Sequence, residues 1–331
     1  MNAKIIPLTE EYKDKLAEYM HQKYPNFSDA YIKYDIEESL GEGMQLSRSL
    51  IVINENNEIV GCHLNFITKA LIKGEVKNVS WGHNTFLDED YRRSIGLDFV
   101  LKISSTKDGF GYNLTDINSK IQHLIKSNVF VDGLQLFRVF NIWMIWSYYK
   151  KAIGRIPIIP NVLPMEIQLK NTTFILCSTA DEINIPNNGY WNKDICEVDF
   201  VRDHEYLNKR FFNNPVNKYY TYTDAQKKSY FTIRPIIHKG ILGLQIVDFR
   251  YDQNQLCIVK EISKAVNYIC NYIHAGVTLF TTSDKLFKSI YETKITCKCW
   301  PISFVGGKNN ISSKDAYIIV NSADSDGEFH N

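Results

Sequence analysis

The run Leu87-Asp88-Glu89-Asp90-Tyr91-Arg92-Arg93-Ser94-Ile95-Gly96 joins an apolar stretch to a helical one, and it decides how the first half of the chain is read. Leu87 closes the apolar run Glu75 to Leu87. Beyond it, Ile95, Phe99 and Ile103 recur four apart with Val100 beside them, which predicts a helix over about 95–106. A strand that turns through Arg92, Arg93, Ser94, Ile95 and Gly96 into a helix would aim successive backbone N–H groups at one point. The helix dipole would add to the attraction for an anion such as a diphosphate. The same residues also suit an ordinary helix start beside a solvated arginine pair, and the stretch alone leaves both open.

Upstream, Asn78-Val79-Ser80-Trp81-Gly82-His83-Asn84-Thr85-Phe86-Leu87 mixes polar with apolar residues where a core strand should be apolar. His83 stands four residues before Leu87. An imidazole with a pKa of about 6.5 suits removal of a proton from an amine near neutral pH. A hydrogen-bonded structural histidine fits the position as well. Ser80, Asp90 and Asp98 are lesser candidates for substrate or relay contacts.

The rest of the first half reads as a strand over 1–8, helices over 9–24 and 29–40, and strands over 49–54, 59–71 and 75–87. After the helix over 95–106 come a strand over 110–114, a helix over 118–126 and a strand over 129–139. The most apolar stretch, Leu134 to Tyr149, contains Arg138, Asn141 and Ser147 and is too short to span a bilayer. It reads as a buried strand or a packed interface.

The Arg-Ser-Ile-Gly turn resembles the signature of the GNAT acyltransferase superfamily, although Leu97 stands where that family has a second small residue. Asn118-Ser119-Lys120-Ile121-Gln122-His123-Leu124-Ile125-Lys126-Ser127-Asn128-Val129-Phe130 is similar to the family's later helix and strand, with Val129 in place of Gly and Ile125 in place of Tyr. The resemblance implies that Arg92, Arg93, Ser94, Ile95, Gly96 and Asn118 contact acyl-CoA, a co-substrate rather than a resident cofactor. It also implies a strand that splays from its neighbour, with backbone N–H groups around Phe86 and Leu87 polarising the thioester carbonyl. His83 takes the place of the base in aralkylamine N-acetyltransferases.

Pro157, Pro160 and Pro164 mark a linker over about 153–165. The second half then repeats the order of the first, with extended segments at 166–178 and 198–201, a helix over 203–213 and strands over 218–222, 229–237 and 240–249. A long helix over 255–274, a strand over 277–281, a helix over 283–293 and a strand over 302–305 follow. The expected architecture is therefore α+β: a GNAT domain over 1–152 that binds acyl-CoA, and a GNAT-like domain over 166–331 that walls the acceptor site. Arg202 to Tyr219 resembles a segment of tandem-GNAT transferases in bacterial surface-sugar pathways. That resemblance implies a nucleotide-linked amino sugar as the amine acceptor. No glycine-rich arginine turn follows Val247-Asp248-Phe249-Arg250, which places acyl-CoA in the first half.

Composition narrows the remaining classes. Lys plus Arg number 38 against 37 Asp plus Glu, a balance that argues against a nucleic-acid or membrane partner. It weighs against a transferase fed by aminoacyl-tRNA, and calorimetry with coenzyme A would separate an enzyme from a degenerate binding protein. Seven scattered cysteines offer no metal-ligand pattern beyond Cys297-x-Cys299 and read as reduced thiols. No metal is expected, and a cytoplasmic location is.

Overall fold

The computed structural model describes residues 2–40, 48–105, 109–113, 130–192, 196–292, 297–305 and 318–324. By contact the chain divides into two units, Met1–Asp132 with Ser303–Ala316, and Gly133–Ile302 with Tyr317–Asn331.

The first unit opens with β1 (Ala3–Pro7), α1 (Lys13–Lys23) and α2 (Asp29–Leu40), then β2 (Leu50–Asn54), β3 (Ile59–Ile72) and β4 (Glu75–Leu87). These four strands lie in the order β1-β2-β3-β4, each antiparallel to the next. The β3–β4 hairpin turns at Lys73-Gly74, both with positive φ, as tight turns require. Helix α3 (Glu89–Ser104) crosses over to β5 (Gly109–Asn113), which runs parallel to β4. Leu50, Val52, Val60, Leu87 and Phe99 form the core between α3 and the sheet, with Ile95 and Ile103 packed against it. The apolar spacing that predicts the α3 helix is therefore the face that it buries.

In the second unit, β6 (Phe130–Phe140) leads into α4 (Trp143–Ala152). There follow β7 (Glu166–Gln168), β8 (Thr173–Leu176), β9 (Val198–Phe200), α5 (His204–Leu207), β10 (Tyr220–Asp224), β11 (Tyr230–His238) and β12 (Ile241–Arg250). Helix α6 (Ile258–Ile273) connects β12 to β13 (Val277–Thr282), and α7 (Lys285–Glu292) precedes β14 (Cys297–Val305). The sheet of this unit runs β6-β13-β12-β11-β10-β8-β7, with β12 and β13 parallel and every other neighbouring pair antiparallel. Both units thus place a helix between the two strands of a parallel pair. Ile258, Ile262, Ala265, Val266 and Ile269 give α6 one buried apolar stripe against Phe249, Phe280 and Phe287. Asp203 caps α5 as its sequence position predicts, accepting the Tyr206 N–H at 2.8 Å.

Three expectations need correction. Helix α3 starts at Glu89, not near Ile95, because the chain turns into it directly from Leu87 with Asp88 at the N-cap. The stretch read as buried over 134–149 is β6 followed by α4, and no residue of α4 is buried. An apolar run does not reveal which face will pack. The segment over 153–165 is no free tether: Leu163 is 1% exposed, Tyr220 and Lys218 donate to the Asn161 carbonyl, and Tyr222 donates to that of Pro164. The expected helix over 118–126 lies outside the described residues.

Candidate active site

Strands β4 and β5 pair only at Ser80↔Gly109 and Trp81↔Phe110 among the described residues. Among the described residues β4 is paired from Gly82 to Leu87 on its β3 side alone, so the backbone groups on its other edge face a fork. At the fork's apex the Ser80 hydroxyl is buried and makes no hydrogen bond to the described residues. A buried polar atom without a partner costs roughly 1–3 kcal/mol, so this hydroxyl suits a site that something polar enters.

Inside the fork β4 is bulged. The register with β3 shifts between Cys62 and Leu64, and Asn84 takes a left-handed φ of 43°. An extra residue in one strand re-aims the side chains around it, and here it turns His83 and Asn84 toward α2. His83 Nε2 lies 2.6 Å from Asp35 Oδ1, and Asn84 Nδ2 donates to Asp35 Oδ2 at 2.8 Å and to the Tyr31 hydroxyl at 3.2 Å. His83 Nδ1 lies 3.4 Å from the Trp81 carbonyl oxygen, an acceptor, so with Nε2–H donated to the carboxylate this contact becomes a hydrogen bond when Nδ1 takes a proton. The His83 ring is 1% exposed, so a bulky substrate does not touch it in this conformation.

A second histidine lies on the β3 side of the bulge. His63 Nδ1 is 2.6 Å from the Thr85 hydroxyl, and burial, with His83 nearby, pushes its pKa down to about 3. A Cβ on Gly82 would stand 2.7 Å from the His63 ring, so the absence of a side chain at Gly82 is what admits that ring. At neutral pH His63 is therefore an uncharged partner beside the His83–Asp35 pair.

The sequence singled out His83 and Ser80 and missed Asp35, Asn84 and His63. A signal for Asp35 was present: Tyr31, Asp35 and Ser39 share the buried face of α2 with Ile32 and Ile36, and a carboxylate on an apolar stripe calls for a partner. Asp90 and Asp98 lie exposed on α3 and make no hydrogen bond to His83 or Asp35. Arg92, Arg93, Ser94, Ile95 and Gly96 are inside α3, where an interior N–H is held by the carbonyl four residues back. Their amides therefore do not form the open turn expected from sequence, and what they can offer an anion is the exposed Arg92 and Arg93 side chains. Arg92 Nε donates to the Leu87 carbonyl at 3.0 Å. A Cβ on Gly96 would meet Leu87 and Arg92 only at 3.8 and 3.9 Å, so packing does not require the glycine. Asn118 lies outside the described residues.

Neither a family model nor a curated protein matches the sequence. Solved structures do match the fold. A GCN5-related N-acetyltransferase from Kribbella flavida superposes with a TM-score of 0.60 at 9% identity, over 92% of this chain and 70% of that one. This chain has the GCN5-related N-acetyltransferase fold. A probable N-acyltransferase from Enterococcus faecalis V583 matches with a TM-score of 0.54 at 10% identity, over 92% of this chain and 72% of that one. Saccharomyces cerevisiae N-myristoyltransferase with bound myristoyl-CoA gives 0.56 at 8% identity, over 92% and 82%.

In the second unit a helix again joins the two strands of a parallel pair, but there the space beyond the pairing is filled. Pairing of β12 with β13 spans Gly243↔Val277 to Ile246↔Phe280. Beyond it the chain's own segment 318–324 enters. Thr282 bridges Asn321, whose side chain donates to Asp248 Oδ1 at 2.8 Å and to the Phe249 carbonyl at 3.2 Å. Arg202 joins Asp248 and Asp324, and Tyr230 and Arg250 also donate to Asp248, all of them buried. Burial alone would raise the Asp248 pKa; the Arg202 and Arg250 guanidiniums outweigh it and hold the carboxyl at about 2. The second unit also holds a cavity of about 640 Å³ lined by Phe211, Phe212, Lys218, Tyr219 and Tyr220, among others. The buried Asn214 Nδ2 at this cavity makes no hydrogen bond. Among the described residues there is no cluster suited to a metal and no helix long and apolar enough to cross a membrane.

Proposed function

We propose that this protein is an acyl-CoA-dependent N-acyltransferase that works through the β4 fork of the first unit. The observation that carries this reading is the fork itself: β4 leaves β5 after Trp81 and bulges at Asn84, with the Asp35–His83 pair behind it. Of the two expected amides, Leu87 alone turns its N–H to the open edge, because Asp88 gives its N–H to the Val60 carbonyl on β3 and strand alternation sets Phe86 with it. The Leu87 N–H is suited to polarise a thioester carbonyl, an electrostatic aid that needs no side chain. The amine nitrogen attacks that carbonyl directly. The N–C bond forms, the C–S bond breaks, and the thiolate departs with no covalent enzyme intermediate. The proton lost by the amine goes to His83 Nδ1, by relay because the ring is enclosed, while Asp35 orients the ring through Nε2–H and stabilises the imidazolium. Arg92 and Arg93 are the cations for the diphosphate.

We assign acyl-CoA to residues 1–152 because the comparable fork of the second unit is occupied by its own segment 318–324. Within the second unit, the aromatic cavity with Tyr219 and Tyr220 suits a sugar or base ring. A nucleotide-linked amino sugar of a surface-polysaccharide route, acylated in the cytoplasm, fits the resemblance of Arg202 to Tyr219.

The test is thiol release from acetyl-CoA and longer acyl-CoAs against a panel of nucleotide amino sugars. Turnover is expected, and His83→Ala should keep coenzyme A binding while lowering kcat by about 10²–10⁴-fold, the usual range for general-base removal. Asp35→Asn should lower kcat less and make the double variant non-additive. No turnover with any acyl chain and acceptor, together with no coenzyme A binding by calorimetry, removes the reading. Unchanged kcat in His83→Ala retires His83 as the base.

A further inference from the structure

We infer that the face formed by α4 and the segment after it docks the protein on an anionic membrane surface. The helix packs the reverse of the usual way. Its Met144–Ser147 side lies on Gly276, where an added Cβ would meet the Met144 backbone at 2.9 Å and Ser147 Oγ at 3.1 Å, and Lys151 donates to the Lys239 carbonyl. Ile142, Ile145, Trp146, Tyr149 and Ile153 fall at i, i+3, i+4, i+7 and i+11, one helical stripe, and this apolar stripe is the exposed one. Ile145 is 72% exposed, Trp146 46% and Tyr149 55%, and beyond the helix Ile156 and Ile158 are each 86% exposed. Side chains this apolar seldom stand together in water unless something covers them.

Charge selects the occupant. No Asp or Glu occurs between Asp132 and Glu166, while Lys150 and Arg155 sit within the exposed apolar set. Lys150 Nζ lies 5.3 Å from the centre of the Trp146 ring, so cation and indole form one surface. A second copy docking the same face would bring these cations against their own kind, which opposes a two-fold contact. A bilayer carrying anionic headgroups meets all three features: aliphatic side chains enter the acyl boundary, Trp and Tyr lie at headgroup level, and Lys and Arg meet phosphate. Helix α4 has 10 residues and is suited to lie on a bilayer, not to span one. This departs from the expectation, drawn from overall charge balance, that no membrane partner exists. Net charge averages over a surface whose local composition differs.

The test is co-sedimentation of the full chain with vesicles of phosphatidylcholine alone and of equimolar phosphatidylcholine and phosphatidylglycerol, alongside sedimentation velocity without vesicles. Binding is expected only to the anionic vesicles, and it should weaken as salt rises from about 0.05 to 0.5 M. Ile145→Ser with Trp146→Ser, and separately Ile156→Ser with Ile158→Ser, should each reduce partitioning by about tenfold, and Lys150→Glu with Arg155→Glu at least as much. Melting temperatures should hold, because these side chains are exposed. No binding to anionic vesicles at low salt, or binding that none of the three variants weakens, overturns the inference. A dimer that the apolar variants dissociate, with no vesicle binding, assigns the face to a second copy and overturns it equally.

Discussion

His63 and His83 are separated by one bulge, yet their surroundings set them opposite tasks. His83 gives its Nε2–H to a carboxylate that would stabilise its charged form, whereas burial keeps His63 neutral with a pKa near 3. A group protonated more readily in the unfolded chain weakens the fold as pH falls. His63 titrates near 6.5 when unfolded and near 3 when folded, so its contribution is complete above about pH 6.5 and is lost progressively between there and about 3. Urea midpoints measured from pH 7 to 4 should therefore fall, and His63→Gln should flatten that fall while costing about 1 kcal/mol at pH 7 through the Thr85 contact. An unchanged slope would show that other groups govern acid unfolding. None of this was legible from residue types. His83 stood out because it interrupts an apolar run; Asp35, 48 positions away, became its partner only when α2 packed on the sheet.

At the scale of elements, α3 differs most between expectation and structure. Its apolar residues were read in the right register, because Ile95, Phe99 and Ile103 do face the core. It starts six residues before the position expected from Gly96, because Asp88 with Glu89 and Asp90 behind it already provides an N-terminus. Acids in the first turn favour the helix, so they explain its early start. Gly96 is left as a helix-interior glycine without a packing reason. Gly96→Ala should stabilise the protein by roughly 0.5–1 kcal/mol, visible as a higher melting temperature. If acyl-CoA lies close to the backbone there, the same variant should raise the KM for acyl-CoA several-fold; an unchanged KM would move the diphosphate to the arginine side chains alone. In α4 the expectation of a buried strand or packed interface gives way to a helix with no buried residue, because an apolar run alone fixes neither the element nor the face that packs.

Across the whole molecule, two parallel strand pairs have met different fates. In the first unit the described chain leaves the β5-side edge of β4 unpaired beyond Trp81; in the second, segment 318–324 closes the gap through the Arg202–Asp248–Asp324 cluster. Asp324→Ala should cost about 3 kcal/mol in denaturant unfolding, because it leaves the fully buried Arg202 and Arg250 to share the Asp248 carboxylate. A loss below about 1 kcal/mol would mean that the segment is dispensable to the second unit. The sequence by itself determined the α+β class, the strand-helix-strand order around both parallel pairs, the absence of a glycine-rich turn after β12 and the acid-free stretch before Glu166. Those follow from local periodicity, turn chemistry and composition, which neighbouring residues specify. Only the tertiary structure decided that Asp35 meets His83, that one fork is open and the other filled, and that α4 turns its apolar stripe outward. Each of these depends on which surfaces distant segments bring together, and that is fixed by chain closure and packing rather than by any pattern within one element.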